Sequence, residues 1–120
     1  MNDIVRQPGV HRGRCRHVTY NGMVWAVATA LGEGDTVAAQ TRVILRLLEE
    51  SLVEAGSSKH RIIEATIYLT DMSKKNEMEQ VWCDWIPDDG WPQRACVGTD
   101  LMPGDLLEIR LSAACEGTAG

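Results

Sequence analysis

The sequence predicts an α+β domain in which one mixed sheet carries two helices on a single face. Three observations predict it. Strand-like runs stand in pairs at both ends of the chain, one strand-like run stands in the middle, and two amphipathic helical stretches separate them. The order is therefore β-β-α-β-α-β-β, and helices divided by a single strand pack most simply over one sheet. At 120 residues, a single domain over 1–120 is expected, long enough to bury a core without disulfide staples.

Residues 1–13 are polar and carry Pro8 and two glycines, so an irregular lead-in is expected. His17, Val18, Thr19 and Tyr20 then meet the apolar stretch 23–28 across Asn21-Gly22, a pair that tolerates positive φ and is the strongest short hairpin signal. Gly32-Glu33-Gly34 breaks the second strand, and Asp35 is placed to cap a helix. Val37, Thr41, Ile44, Leu48 and Leu52 recur on one helical face until Gly56 ends the pattern. Arg42, Arg46, Glu49, Glu50 and Glu54 read as the solvated face of that helix.

The stretch 62–69 is rich in β-branched residues, and its alternation puts Ile63, Ala65, Ile67 and Leu69 on one face. Ser73 is placed to cap a second, shorter helix with Met78, Val81, Trp82 and Trp85 at i, i+3, i+4 and i+7, before Pro87-Asp88-Asp89-Gly90 turns the chain. Strands at 93–99 and 106–113 flank a turn at Met102-Pro103-Gly104-Asp105. With both helices on one face, Trp25 and its apolar neighbours need cover on the other. Sheet-to-sheet association into a homo-oligomer is the expected remedy.

A net charge of −5 leaves no basic field for a phosphate backbone, so nucleic acid is not expected as a partner. Cys15, Cys83, Cys96 and Cys115 form no C-x-x-C pair, and neither a signal peptide nor an apolar span of ~20 residues is seen, which points to a reduced cytoplasmic protein without membrane attachment. His11, His17 and His60 share no metal-ligand spacing, so no metal is expected. Arg12, Arg14 and Arg16 alternate before the first strand. A basic edge pairing with acidic surface is the ordinary meaning of such a pattern, and a grip on a second carboxylate is the functional one.

Two polar residues stand in the last strands. Arg94 opens one run and Glu108 lies inside the next, where the two can face each other across a sheet, as a simple salt bridge or as a carboxylate clamp and a water-handling acid. Glu108, Arg110 and Ser112 share one parity, opposite to Leu107, Ile109 and Leu111, which puts Glu108 on the outward face.

The element order, Ala55-Gly56-Ser57-Ser58 after the long helix, the run from Ala65 to Met72, Pro92-x-Arg94-x-Cys96-Val97 and Leu107-Glu108-Ile109 together resemble the RidA/YjgF family over roughly residues 18–114. The stretch 78–85 is more similar to the YoaB branch than to RidA itself. The resemblance implies a chorismate-mutase-like fold, a homotrimer with clefts between subunits, and no cofactor. It also implies hydrolysis of reactive 2-enamino and 2-imino acids, such as 2-aminoacrylate and 2-iminopropanoate, to 2-keto acids and ammonia. On the same resemblance Arg94 clamps the substrate carboxylate and Glu108 is the catalytic water activator. Cys96 contributes its main-chain carbonyl, and nothing near it in sequence would activate the thiol.

Other family positions differ. Val27 and Ala28 stand where RidA has Ser-Gly, Glu79 replaces a helix asparagine, and Arg14 aligns near an N-terminal tyrosine. These residues line the implied substrate site, so its preference is expected to be redirected. The alternatives are a pathway-specific deaminase of a larger unsaturated amino acid, aminomuconate-like, or a non-catalytic trimeric protein that binds a small carboxylate. An endoribonuclease or translation-inhibitor role, attributed to some relatives, stands behind these because the composition is acidic.

Overall fold

The computed structural model describes residues 3–116, so Met1 and Asn2 of the expected lead-in lie outside the described residues. In chain order the elements are β1 (Val5–Pro8), β2 (Cys15–Tyr20), β3 (Met23–Ala28), α1 (Val37–Glu54), β4 (Ile62–Leu69), α2 (Lys75–Trp85), β5 (Gln93–Gly98) and β6 (Leu107–Ala114). The six strands form one sheet in the order β1-β2-β3-β6-β4-β5. All neighbours are antiparallel except β4 and β5, whose parallel pairing requires a crossover, and α2 is that crossover. The α+β architecture read from the sequence is the one found.

One element differs from the expectation. The lead-in, expected to be irregular, carries β1, which pairs with β2 and forms one sheet edge. Four mostly exposed residues leave no alternation to read, and Pro8 sits at the irregular end of the pair, a position an edge strand tolerates. The β2–β3 turn follows the sequence reading: Asn21 and Gly22 both adopt positive φ (53° and 81°), and Tyr20 pairs with Met23.

Local details move by a residue or two where polar side chains compete for helix ends. Thr36, not Asp35, caps α1, its hydroxyl oxygen accepting from the Ala39 N–H at 3.1 Å. Asp71, not Ser73, begins the second helical segment. Its carboxylate accepts from the Ser73 N–H (3.0 Å) and hydroxyl (2.7 Å), holding a 3₁₀ turn at Met72–Lys74 that leads into α2. On β4 a register irregularity between Ile62 and Glu64 turns Ile62 inward and Ile63 outward, so Ile63 leaves the face shared by Ala65, Ile67 and Leu69.

Ile44, Leu45, Leu48 and Leu52 of α1 pack with Met78 and Trp82 of α2 over Val24, Ile67, Leu69, Leu107 and Ile109 of the sheet. Burial of each such side chain stabilises the fold by roughly 1.5–3 kcal/mol. Arg46 remains exposed beside Glu33 at 3.6 Å, but Glu49 and Glu54 of the expected solvated face are tied down. Glu49 accepts from the Trp85 indole at 2.9 Å, and Glu54 accepts two hydrogen bonds from Arg16 at 2.7 and 2.9 Å. Opposite the helices, Tyr20, Trp25, Val27 and Val97 stand exposed.

Candidate functional site

Strand register decides which candidate residues can meet. Ala26, Leu111, Ala65 and Arg94 form one row across β3, β6, β4 and β5, and the first three are buried under the helices. Arg94 therefore points to the helix side, at the sheet edge where only α2 covers it. Ala28, Ile109, Ile67 and Cys96 form the next row on that side. Glu108 aligns with Tyr68 and Val97 on the opposite surface.

Within one chain Arg94 and Glu108 consequently do not face each other. They lie on opposite sides of the sheet and two strands apart, about 10 Å laterally. The ion pair open to Arg94 from sequence forms with Glu79 on α2, whose carboxylate accepts from Nη2. The guanidinium carbon also sits 5.4 Å from the centre of the Trp82 ring, within cation–π range. One strand register and one helix face thus hold the arginine, while Nε and Nη1 donate to no described residue.

Cys96 is partly buried against the core, and its main chain belongs to β5, which has β4 on one side and no described strand on the other. That geometry suits main-chain hydrogen bonding from an edge strand more than thiol chemistry. Cys115 is no nucleophile candidate either: burial raises its thiol pKa, Arg61 opposing in part, and Sγ donates to the Ala55 carbonyl at 3.4 Å. Val27 aligns with Arg110 on the Glu108 surface, and Ala28 with Ile109 on the helix side. Arg110 itself lies 5.9 Å from the Tyr68 ring.

Arg14 stands apart from these residues, just before β2, four strands or about 19 Å from β5. It lines a concavity of ≈650 Å³ with Arg6, Gly9, His11 and Arg12. None of these three arginines forms an ion pair with a described residue, unlike Arg16. On the helix side of β2, in the row of Ala26, His17 is buried, and burial lowers its pKa; Glu54 opposes that shift and Arg16 adds to it. Sequence reasoning missed Trp82 and Tyr68 as neighbours of the two charged candidates. The i, i+3 spacing of Glu79 and Trp82 is the signal that could have paired them on one helix face.

Among the described residues no three metal-ligating side chains gather, and no helix is long and apolar enough to cross a membrane.

Comparison with known proteins identifies the family. A family model described as Endoribonuclease L-PSP matches residues 14–115. A RutC family protein of Haemophilus ducreyi is 31% identical over 97 residues, covering 79% of this chain and 83% of that protein. The RutC family protein YoaB of Escherichia coli K12 is 34% identical over 76 residues, covering 62% and 67%, in line with the resemblance of stretch 78–85. Among solved structures, a YjgF family member from Neisseria meningitidis superposes with a TM-score of 0.91 at 31% identity, over 97% of this chain and 98% of that one. The chain belongs to the YjgF/RidA/RutC family, to which the L-PSP domain description refers.

Proposed function

We propose that the protein hydrolyses reactive 2-imino acids and their enamine tautomers to 2-keto acids and ammonia at a site built between copies of the chain. The observation that carries the reading is Arg94, a cation held in place by Trp82 and Glu79 at an open sheet edge with part of its guanidinium unused. A planar guanidinium grips a carboxylate through parallel hydrogen bonds, which fixes the adjacent imine carbon for attack.

Hydrolysis then proceeds in two steps. Glu108 accepts a proton from water as the water oxygen bonds to the carbon of the protonated imine, and the carbon–nitrogen π electrons become the lone pair of a neutral amine nitrogen. The carbinolamine nitrogen then takes the proton held by Glu108, and the carbon–nitrogen bond breaks with its electron pair leaving as ammonia. The carbonyl forms as the hydroxyl gives its proton back to the Glu108 carboxylate, from which ammonia carries it away as ammonium. No cofactor is needed. Because Arg94 and Glu108 occupy opposite sheet faces, the Glu108 of one site comes from a second copy. The exposed Trp25 and Val27 surface supports such association, and the homotrimer with three clefts implied by the family resemblance has this form. Cys96 contributes main-chain hydrogen bonding, while Val27 and Ala28 supply apolar contacts.

A second reading, a deaminase of a larger dicarboxylic unsaturated amino acid of the aminomuconate kind, is favoured by the unpaired Arg6, Arg12 and Arg14 concavity, which suits a second carboxylate where a second copy brings it to Arg94. Within one chain the two lie about 19 Å apart. An endoribonuclease role draws no support from a chain of net charge −5.

The test follows keto-acid formation from an amino acid supplied with an oxidase or dehydratase that releases the imine. Acceleration by the wild type and its loss in Arg94→Ala are expected; equal rates would remove Arg94 from the site. Ligand-induced thermal stabilisation without turnover would select a carboxylate-binding protein instead.

A further inference from the structure

Glu79 has no part in the reaction as derived above, yet it holds the residue on which that reaction depends. Its carboxylate accepts from Nη2 of Arg94, and the two side chains remain 34% and 19% exposed, so the pair lies at an open rim and not in the core. Trp82 covers one face of the guanidinium. Of the five N–H donors that a guanidinium carries, Glu79 takes one on Nη2, and the second Nη2 N–H forms with its neighbouring nitrogen an edge that stays available to a ligand.

This pair sets the charge of what it can accept. Arg94 and Glu79 together are neutral. A simple anion bound at the open guanidinium edge would leave the site at −1, in a chain already at −5, with its negative charge beside the Glu79 carboxylate. A ligand that carries a carboxylate and a cationic nitrogen on adjacent carbons meets neither problem. Its carboxylate takes the free edge of Arg94, and its N–H groups donate to Glu79. A protonated 2-imino acid has this form, and the 2-keto acid left after hydrolysis does not.

We propose that the Arg94–Glu79 pair is a zwitterion reader: Glu79 is a specificity residue that admits small acids with a protonated imine or amine nitrogen next to the carboxylate and disfavours the keto-acid product. The proposal rests on the deaminase reading for the identity of its substrate, but the charge preference is measurable without turnover. Discrimination of this kind works by repelling the wrong ligand as much as by holding the right one.

Calorimetric titration tests it, with L-alanine as the stable zwitterion and pyruvate as the anion of similar size. Wild type is expected to bind alanine about tenfold more tightly than pyruvate. Glu79→Gln, which keeps the side-chain volume, should reverse that order by tightening pyruvate and weakening alanine, and Arg94→Gln should bind neither. Equal binding of the two ligands by wild type, an unchanged order in Glu79→Gln, or no binding of either ligand would overturn the proposal. If Glu79→Gln unfolds, the wild-type order and the Arg94→Gln control still decide. Imine hydrolysis measured on the same wild-type sample separates the two readings. An alanine preference without turnover removes the deaminase reading alone, and turnover without the preference removes the zwitterion reader alone.

Discussion

Replacing Gln40 by methionine would remove three hydrogen bonds from one buried side chain while nearly conserving its volume. Gln40 is 2% exposed on α1, and its amide reaches two loops at once. Nε2 donates to the carbonyls of Gly34 (3.1 Å) and Gly104 (2.9 Å), and Oε1 accepts from the N–H of Leu106 (2.9 Å). The turn before α1 and the turn before β6 are thereby fixed to one helix position. Each neutral hydrogen bond contributes about 1 kcal/mol net, and an orphaned partner costs up to ~3 kcal/mol where it stays dry. Because all three bonds are only partly buried, a total loss of about 2–4 kcal/mol is expected, a large share of the 5–15 kcal/mol typical of a domain. Urea unfolding at fixed protomer concentration should show a lower midpoint with an unchanged slope. Gln40→Glu, whose carboxylate would set an oxygen against the Gly34 and Gly104 carbonyls in a nearly dry position, should cost at least as much at neutral pH. A loss below about 0.5 kcal/mol in Gln40→Met would refute the assignment of these loops to Gln40.

Three further outcomes are expected. His17 has its pKa lowered in the folded state, mainly by burial, so the folded protein resists protonation there. Stability should hold above the ordinary histidine value of about 6.5 and fall as the pH drops below it towards the folded value, and His17→Gln should flatten that part of the profile in chemical denaturation. Gly34 has φ +102°, and an added Cβ would lie 3.1 Å from the Ala39 Cβ, so Gly34→Ala should lower stability by about 1–3 kcal/mol in the same assay. Trp25→Glu places a charge on the exposed apolar sheet face and should shift the protein towards monomer in light scattering, with the far-ultraviolet circular dichroism unchanged.

The long-range order of the fold was legible because its signals are periodic. Val37, Thr41, Ile44, Leu48 and Leu52 all lie on the buried face of α1, and Asn21-Gly22 makes the turn it encodes. What escaped depends on competition between near neighbours. Thr36 outcompetes Asp35, Asp71 outcompetes Ser73, and one irregularity moves Ile63 outward, none of which alters the apolar pattern. β1 has too few residues and too little burial to show a period. At the site, parity correctly placed Glu108 outward, because Leu107, Ile109 and Leu111 mark the buried side unambiguously. Edge strand β5 mixes polar and apolar residues on both sides, so the face of Arg94 became readable only from its register with Ala65 and the position of α2. Its partner Glu79 lies on a different element, α2, so no pattern within β5 points to it.

Mixed assemblies show whether an active site needs Arg94 from one copy and Glu108 from another. Arg94→Ala and Glu108→Gln would each be purified, confirmed inactive in imine hydrolysis, then dissociated, mixed in equal amounts and reassembled. If the two residues act across a subunit boundary, random assembly restores both in about one site in four, and roughly a quarter of wild-type activity should return. Mixed assemblies that contain both variants and remain inactive would show that Arg94 and Glu108 do not act together across a subunit boundary.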